Sequence, residues 1–147
     1  MDAIDRRILQ ELEADGRITN IQLAERVGLS PSACLRRVQA LEAAGVIAGY
    51  RAVLDRQRLG TGLIIFVLVG LSGQLKKHAE AFERAMEDSP EVRECHNITG
   101  SVEYLLRVEV ADLSAYKRFH SETLGTLSQV SSITSHICLC SSKDLRG

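Results

Sequence analysis

The sequence predicts an α+β chain built as two units: three helices within the first 45 residues, then a four-stranded sheet carrying two helices from residue 61 onward. Three observations predict it. Apolar residues recur at helical spacing in three short segments before Gly45. The run Gly62–Leu71 (GLIIFVLVGL) has the length and branched composition of a buried strand. After it, alternating and amphipathic stretches follow in the order β-α-β-β-α-β, which folds as a split βαβ sandwich with both helices on one face of an antiparallel sheet.

The elements follow in order. Asp2 can cap a first helix whose apolar face is Ile4, Ile8, Leu9 and Leu12, and Asp15-Gly16 ends it. In the run Asn20–Leu41 (NIQLAERVGLSPSACLRRVQAL), Leu23, Ala24 and Val27 keep the helical period until Gly28, where the permissive backbone stops a helix. Ser30 caps the next helix and Pro31 fills its first turn, where a missing N–H costs nothing. Leu35, Val38 and Leu41 are the expected buried stripe of this third helix. Helices this short do not persist alone, so they should share a core that includes Ile8, Leu12, Leu23, Leu35, Val38 and Leu41. Val46–Leu54 alternates as a short strand, and Asp55–Gly60 is a polar connection. The expected boundaries are therefore 1–45, a β linker at 46–60, and 61–147. Within the last come a strand Leu63–Leu71, a helix Leu75–Asp88, a strand Val92–Ile98, a turn at Thr99-Gly100-Ser101, a strand Glu103–Val110, a helix Leu113–Leu127 and a strand Ile133–Leu139. One face of that sheet lies away from the helices, and self-association is the economical way to bury it.

Composition excludes several classes. At 45% apolar and 25% charged residues the chain is an ordinary globular one, and no apolar run approaches the roughly 20 residues of a membrane helix. Asp2 and Asp5 stand where a secretory leader would be basic, so a cytoplasmic location is expected and no membrane partner. Cys34, Cys95, Cys138 and Cys140 lack metal-ligand spacing, and His78, His96, His120 and His136 are scattered. No metal or cofactor is expected, and the cysteines are read as reduced packing residues. No nucleophile with a nearby base and no phosphate loop can be assembled, so no catalytic residues are assigned. Net charge is −1, but all nine bases before Gly60 are arginines, whose planar fork suits guanine and phosphate.

Two helices joined at Gly28-Leu29 have the spacing of a helix-turn-helix, the second being the one that enters a major groove. Small and polar residues at its start followed by arginines suit that task, so double-stranded DNA is the expected partner. Ser30, Ser32, Ala33, Arg36, Arg37 and Gln39 are the candidate contacts, with Arg17 near the second helix as a phosphate contact.

The stretches DRRILQELEADGRITNIQLAERVGLSPSACLRRVQALEAAGVIAGYRAVLD and EVRECHNITGSVEYLLRVEVADLSAYKRFHSETL resemble the Lrp/AsnC family of leucine-responsive, or feast/famine, transcriptional regulators. The most specific matches are DGRI, RVGLSPS, CLRRV and the step GVI-GY. The resemblance implies a winged-type helix-turn-helix domain, a β linker that pairs in a dimer, and a C-terminal sensing domain of ferredoxin-like topology. It also implies dimers that assemble into multimers such as an octamer, and an amino-acid effector held between dimers near the turn between the second and third strands. Carried over, the effector residues are Thr99, Gly100, Ser101, Val102, Glu103 and Tyr104, with Ile133 and Ser135 on the last strand. Two departures from the family pattern bear on the effector. Its commonest members have Asp after the turn glycine where this chain has Ser101, and often two threonines where it has Ile133 and Ser135. A hydroxyl cannot supply the charge-assisted bond an ammonium group takes from a carboxylate. The expected effector is thus an apolar or bulky amino acid, the alternative being an effector-independent DNA-organising protein of the same fold.

Overall fold

The computed structural model describes residues 1–73 and 75–145; Gln74, Arg146 and Gly147, within the expected 61–147 domain, lie outside the described residues. The chain divides into two compact units, Met1–Ala52 and Val53–Gly147.

The first unit is α1 (Ala3–Ala14), α2 (Asn20–Val27) and α3 (Pro31–Ala43). Each start is set by a side chain that satisfies an otherwise unpaired N–H. Asp2 and Asp5 form a reciprocal capping box on α1, Thr19 and Gln22 another on α2, and Ser30 Oγ accepts from Ala33 N on α3. Gly28 ends α2 at φ 74°, left-handed backbone that only glycine adopts cheaply. Ile8, Leu23, Ala24, Val27, Cys34 and Leu41 form the buried core, with Leu12 and Val38 packed beside it. One expectation fails: Leu35 is 45% exposed, and Cys34 takes the inward position at 0%. The buried stripe of α3 runs through Cys34, Val38 and Leu41, at i, i+4 and i+7, and a Leu35-centred reading is one residue out of phase with it.

Val46–Leu54 forms no strand within this chain. A strand needs a neighbour for its backbone groups, and among the described residues no strand pairs with this segment. Tyr50 instead donates to Glu42 Oε1 at 2.9 Å, folding the start of the linker onto α3.

The second unit is β1 (Leu63–Leu71), α4 (Lys76–Glu87), β2 (Val92–Asn97), β3 (Tyr104–Val110), α5 (Leu113–Arg118) running into a π-helical turn Phe119–Leu124, and β4 (Val130–Ile137). The sheet order is β2-β3-β1-β4, every neighbouring pair antiparallel. Period-two alternation sorts its faces. Ile65, Val67, Val69, Leu106 and Val108 are fully buried together with Phe82, Met86, Phe119 and Leu124. The opposite face carries half-buried Ile64, Phe66, Leu68 and Leu105 beside two buried charges, Arg107 and Glu109. Glu109 gathers three guanidinium groups: Arg107 Nε and Arg56 Nε at 3.3 Å and Arg93 Nε at 3.6 Å. Arg107 also reaches Asp144 at 3.0 Å and lies 5.7 Å over the Phe66 ring.

The last strand ends two residues earlier than expected. Cys138 N still donates to Ile64 O at 2.9 Å, but beyond it the chain leaves the ladder, so Leu139 is 94% exposed and Cys140 is exposed. Cys138 and Cys140 are therefore not core packing residues of a strand face.

Candidate nucleic-acid interface and effector turn

On α3, Ser32, Leu35, Arg36 and Gln39 are exposed, whereas Cys34 and Leu41 are buried. At 3.6 residues per turn the four exposed positions fall within one arc of roughly 100°, opposite the buried pair. Ala33 is half-buried at its edge. The start of the helix is held from α2 by Asn20 Nδ2, which donates to the Pro31 carbonyl at 2.8 Å. Ser30 commits its hydroxyl to the cap and lies 3.4 Å from Ser32 Oγ. Arg36 is exposed and makes no ion pair among the described residues. Arg17 is exposed as well, its backbone N–H bonded to Asp15 Oδ1.

Arg37 sits elsewhere. Its guanidinium reaches back to α1, with Nη1 2.7 Å from Asp2 Oδ2 and 2.9 Å from Asp5 Oδ1. The two carboxylates of the α1 capping box thus also anchor the recognition-type helix. No local pattern signals this, because partners 32 and 35 positions apart are joined only by the packing of α1 on α3. The Asp5 backbone N–H, and after it the Arg37 guanidinium, hold the Asp2 carboxyl down at about 2. A carboxylate depressed in this way contributes stability above its unfolded value of 3.8, and loses it as the pH falls through about 2. Arg37→Ala is expected to lower the melting temperature at neutral pH by a few degrees, the gap to wild type narrowing from about pH 4 toward 2. Circular-dichroism melts across that range check it; a gap that does not change with pH would assign Arg37 to packing alone.

The second candidate site is the turn after β2. Thr99, Gly100 and Ser101 are exposed, and Val102 and Glu103 half-buried. Gly100 has φ 123°, a conformation essentially reserved to glycine, and a Cβ there would meet nothing within 4 Å. Its role is backbone freedom at an open edge. Glu103 is committed to the fold, since its Oε2 accepts from Leu71 N at 2.8 Å. Tyr104 is 1% exposed, packs its ring tilted against that of Phe82 with centroids 4.7 Å apart, and donates to Glu83 Oε1. Burial, with Glu83 beside it, pushes its phenol above the ordinary range. Ile133 packs against the core, and the Ser135 hydroxyl shares a hydrogen bond with Tyr116. Of the eight expected residues, Thr99 to Glu103 thus lie together at one end of the sheet, while Tyr104, Ile133 and Ser135 point to the helix face.

A cavity of about 390 Å³ opens between α4 and β2, where Glu83, Glu87, Cys95, Asn97 and Tyr104 line it. Burial, and then Glu83 and Glu87, push the Cys95 thiol to about 11, so it stays protonated and inert as a nucleophile. A second cavity, about 300 Å³, is bounded by His120, Leu124 and Ile133. Neither is signalled in the sequence, since both depend on how helices seat on the sheet. Among the described residues no cluster of His, Cys, Asp or Glu could hold a metal, and no helix is long and apolar enough to cross a membrane.

A capped three-helix unit with an exposed arginine face, joined to a βαββαβ sandwich, is the architecture of a two-domain DNA-binding regulator. Residues 1–48 match a winged helix-turn-helix DNA-binding family, and residues 64–147 match the Lrp/AsnC ligand binding domain. The chain belongs to the Lrp/AsnC family of transcriptional regulators. It is 42% identical to the leucine-responsive regulatory protein of Escherichia coli K12 over 139 residues, 95% of this chain and 85% of that one. Among solved structures, a transcriptional regulator of Neisseria meningitidis in complex with L-Met superposes with a TM-score of 0.94 at 38% identity, covering 98% and 93% of the two chains. An AsnC family regulator of Agrobacterium tumefaciens gives 0.92 at 33% identity, covering 98% and 94%.

Proposed function

We propose that this protein binds DNA sequence-specifically to regulate amino-acid metabolism, and that an amino acid bound by the C-terminal domain modulates it. The observation that carries this reading is the exposed arc of α3, with Arg36 and Gln39 turned away from the core and Ser32 at the helix start. Residues 1–45 read the DNA, with Ser30, Ala33 and Arg17 beside the arc. Arg37 acts from behind, by holding α3 against α1. Residues 46–60 pair with a second copy: Val46, Tyr50, Val53 and Leu54 are 45 to 69% exposed here, and a segment that forms no strand within the chain is completed by a partner strand. Residues 61–147 bind effector and assemble dimers into multimers, an octamer being the proposed form. Effector contacts come from Thr99 to Val102, more through backbone than charge because Ser101 is neutral. The relative from Neisseria was solved with L-Met, and an apolar amino acid is the class proposed here.

A screen of the twenty amino acids by thermal shift tests the sensing half. One or a few apolar amino acids are expected to raise the melting temperature, by about 2.7 kcal/mol of stabilisation at a hundredfold excess over Kd. Gly100→Val is expected to abolish the shift. If no amino acid moves the transition while DNA is still bound specifically, the effector-independent reading, which Ser101 favours, replaces this one.

A further inference from the structure

Among the residues of the α3 arc, Ser32, Arg36 and Gln39 can exchange hydrogen bonds with base edges, and Leu35 cannot. Yet Leu35 is 45% exposed at the edge of that arc, while Cys34 beside it is fully buried. A single exposed leucine is ordinary on a protein surface. This one occupies the second turn of the helix, at the edge of the arc about 40° from Gln39, where side chains of a groove-bound helix still reach bases. The rotation of α3 that puts it there is fixed from two sides: Arg37 is tied to Asp2 and Asp5, and Asn20 to the Pro31 carbonyl. The major groove offers one apolar feature in its recognition pattern, the C5-methyl group of thymine. We propose that Leu35 is a specificity-determining residue that selects thymine by packing on that methyl group. The inference rests on the reading of α3 as the helix that enters the groove. Against cytosine or guanine the same side chain would cover an amino or carbonyl edge without a hydrogen bond, so it rejects as well as attracts.

The test uses the full chain and lets the protein select its own operator. Duplexes are selected from a random library of about 30 base pairs, long enough for two half-sites one helical turn apart. The bound pool is then amplified with either dTTP or dUTP, which differ only in that methyl group. Fluorescence anisotropy at one salt concentration reads both affinities. Wild type is expected to bind the uracil pool about fourfold more weakly for each contacted methyl. Leu35→Ala and Leu35→Gln are expected to bind the two pools equally, with melting curves little changed because Cys34, and not Leu35, holds the fully buried position. Wild-type indifference to uracil overturns the assignment, as do Leu35 variants that keep the full thymine preference. A library that yields no enriched sequence overturns the DNA-binding reading itself, and is told apart by the failure of binding to either pool.

Discussion

Arg36→Ala is expected to weaken binding to a selected operator by about 1 to 3 kcal/mol per copy, while the melting temperature of the protein stays within error of wild type. The expectation of unchanged stability comes from exposure: the side chain makes no ion pair among the described residues, and surface changes away from caps and cores seldom move stability by more than about 0.5 kcal/mol. The loss of affinity comes from removing a guanidinium that can take a guanine edge or a phosphate in two parallel bonds. These roles separate by experiment. A phosphate contact lowers affinity equally across sequences and reduces the salt slope by about one, whereas a base contact relaxes preference at one position. Anisotropy titrations at several salt concentrations, on the operator and on a scrambled duplex, distinguish them. Arg37→Ala is the informative companion: it should lose stability and affinity together, and Arg36→Ala affinity alone. Affinity unchanged in Arg36→Ala would remove that side chain from the interface.

Glu109→Ala is expected to destabilise the protein by about 3 kcal/mol, a large loss for a single polar side chain. Its side chain is 5% exposed, and that of Arg107, one of the two guanidinium groups 3.3 Å from it, is 8% exposed. Removing the carboxylate leaves Arg107 with Asp144 as its remaining carboxylate partner among the described residues, and takes from Arg56 the carboxylate it faces. Breaking a buried pair costs more than the pair is worth, because the orphaned charge has lost its water as well as its partner. Arg56 and Arg93 are exposed enough to swing toward solvent, which places the cost at the lower end of the usual range. Arg56 Nε and Glu109 Oε2 also face each other without hydrogen-bond alignment, so their attraction is mainly coulombic. Urea titration should show a lower midpoint with an unchanged slope. A midpoint equal to that of wild type would mean that the cluster is held by the sheet and contributes nothing to it.

Much of this architecture is legible in the sequence because its signals are local. Caps at Asp2 and Ser30, the glycine stop at Gly28, and the run Leu63–Leu71 each act within a few residues of where they stand. What escapes depends on distance or on phase. Leu35 and Cys34 are adjacent, and a helical stripe can be drawn through either; only the seating of α3 against Ile8 and Leu23 selects the cysteine. Arg37 looks like its neighbour Arg36, and nothing in the α3 segment says that one will meet Asp2 and Asp5 while the other meets water. At the effector turn, Tyr104 lies close to Gly100 in the chain, yet strand alternation turns it to the opposite side from Glu103, where Phe82 and Glu83 claim it. The bend into a π-helical turn at Phe119 leaves no mark in the sequence either, since the apolar spacing of Leu113–Leu127 accommodates an α-helix throughout.

The strand order β2-β3-β1-β4 has a consequence for how the protein is made. The most apolar strand, β1, lies in the interior of the sheet, and one of its two neighbours is β4, the last of the sheet's four strands to leave the ribosome. The three helices of the first unit can close on themselves early, from contacts near in sequence, whereas β1 must wait some sixty residues for Val130–Ile137 to cover its open edge. During that interval an unpaired run of isoleucine, valine and leucine is available to other nascent chains. Deleting the chain from Val130 onward would make that interval permanent, and the expected product is an aggregate with an intact DNA-reading head.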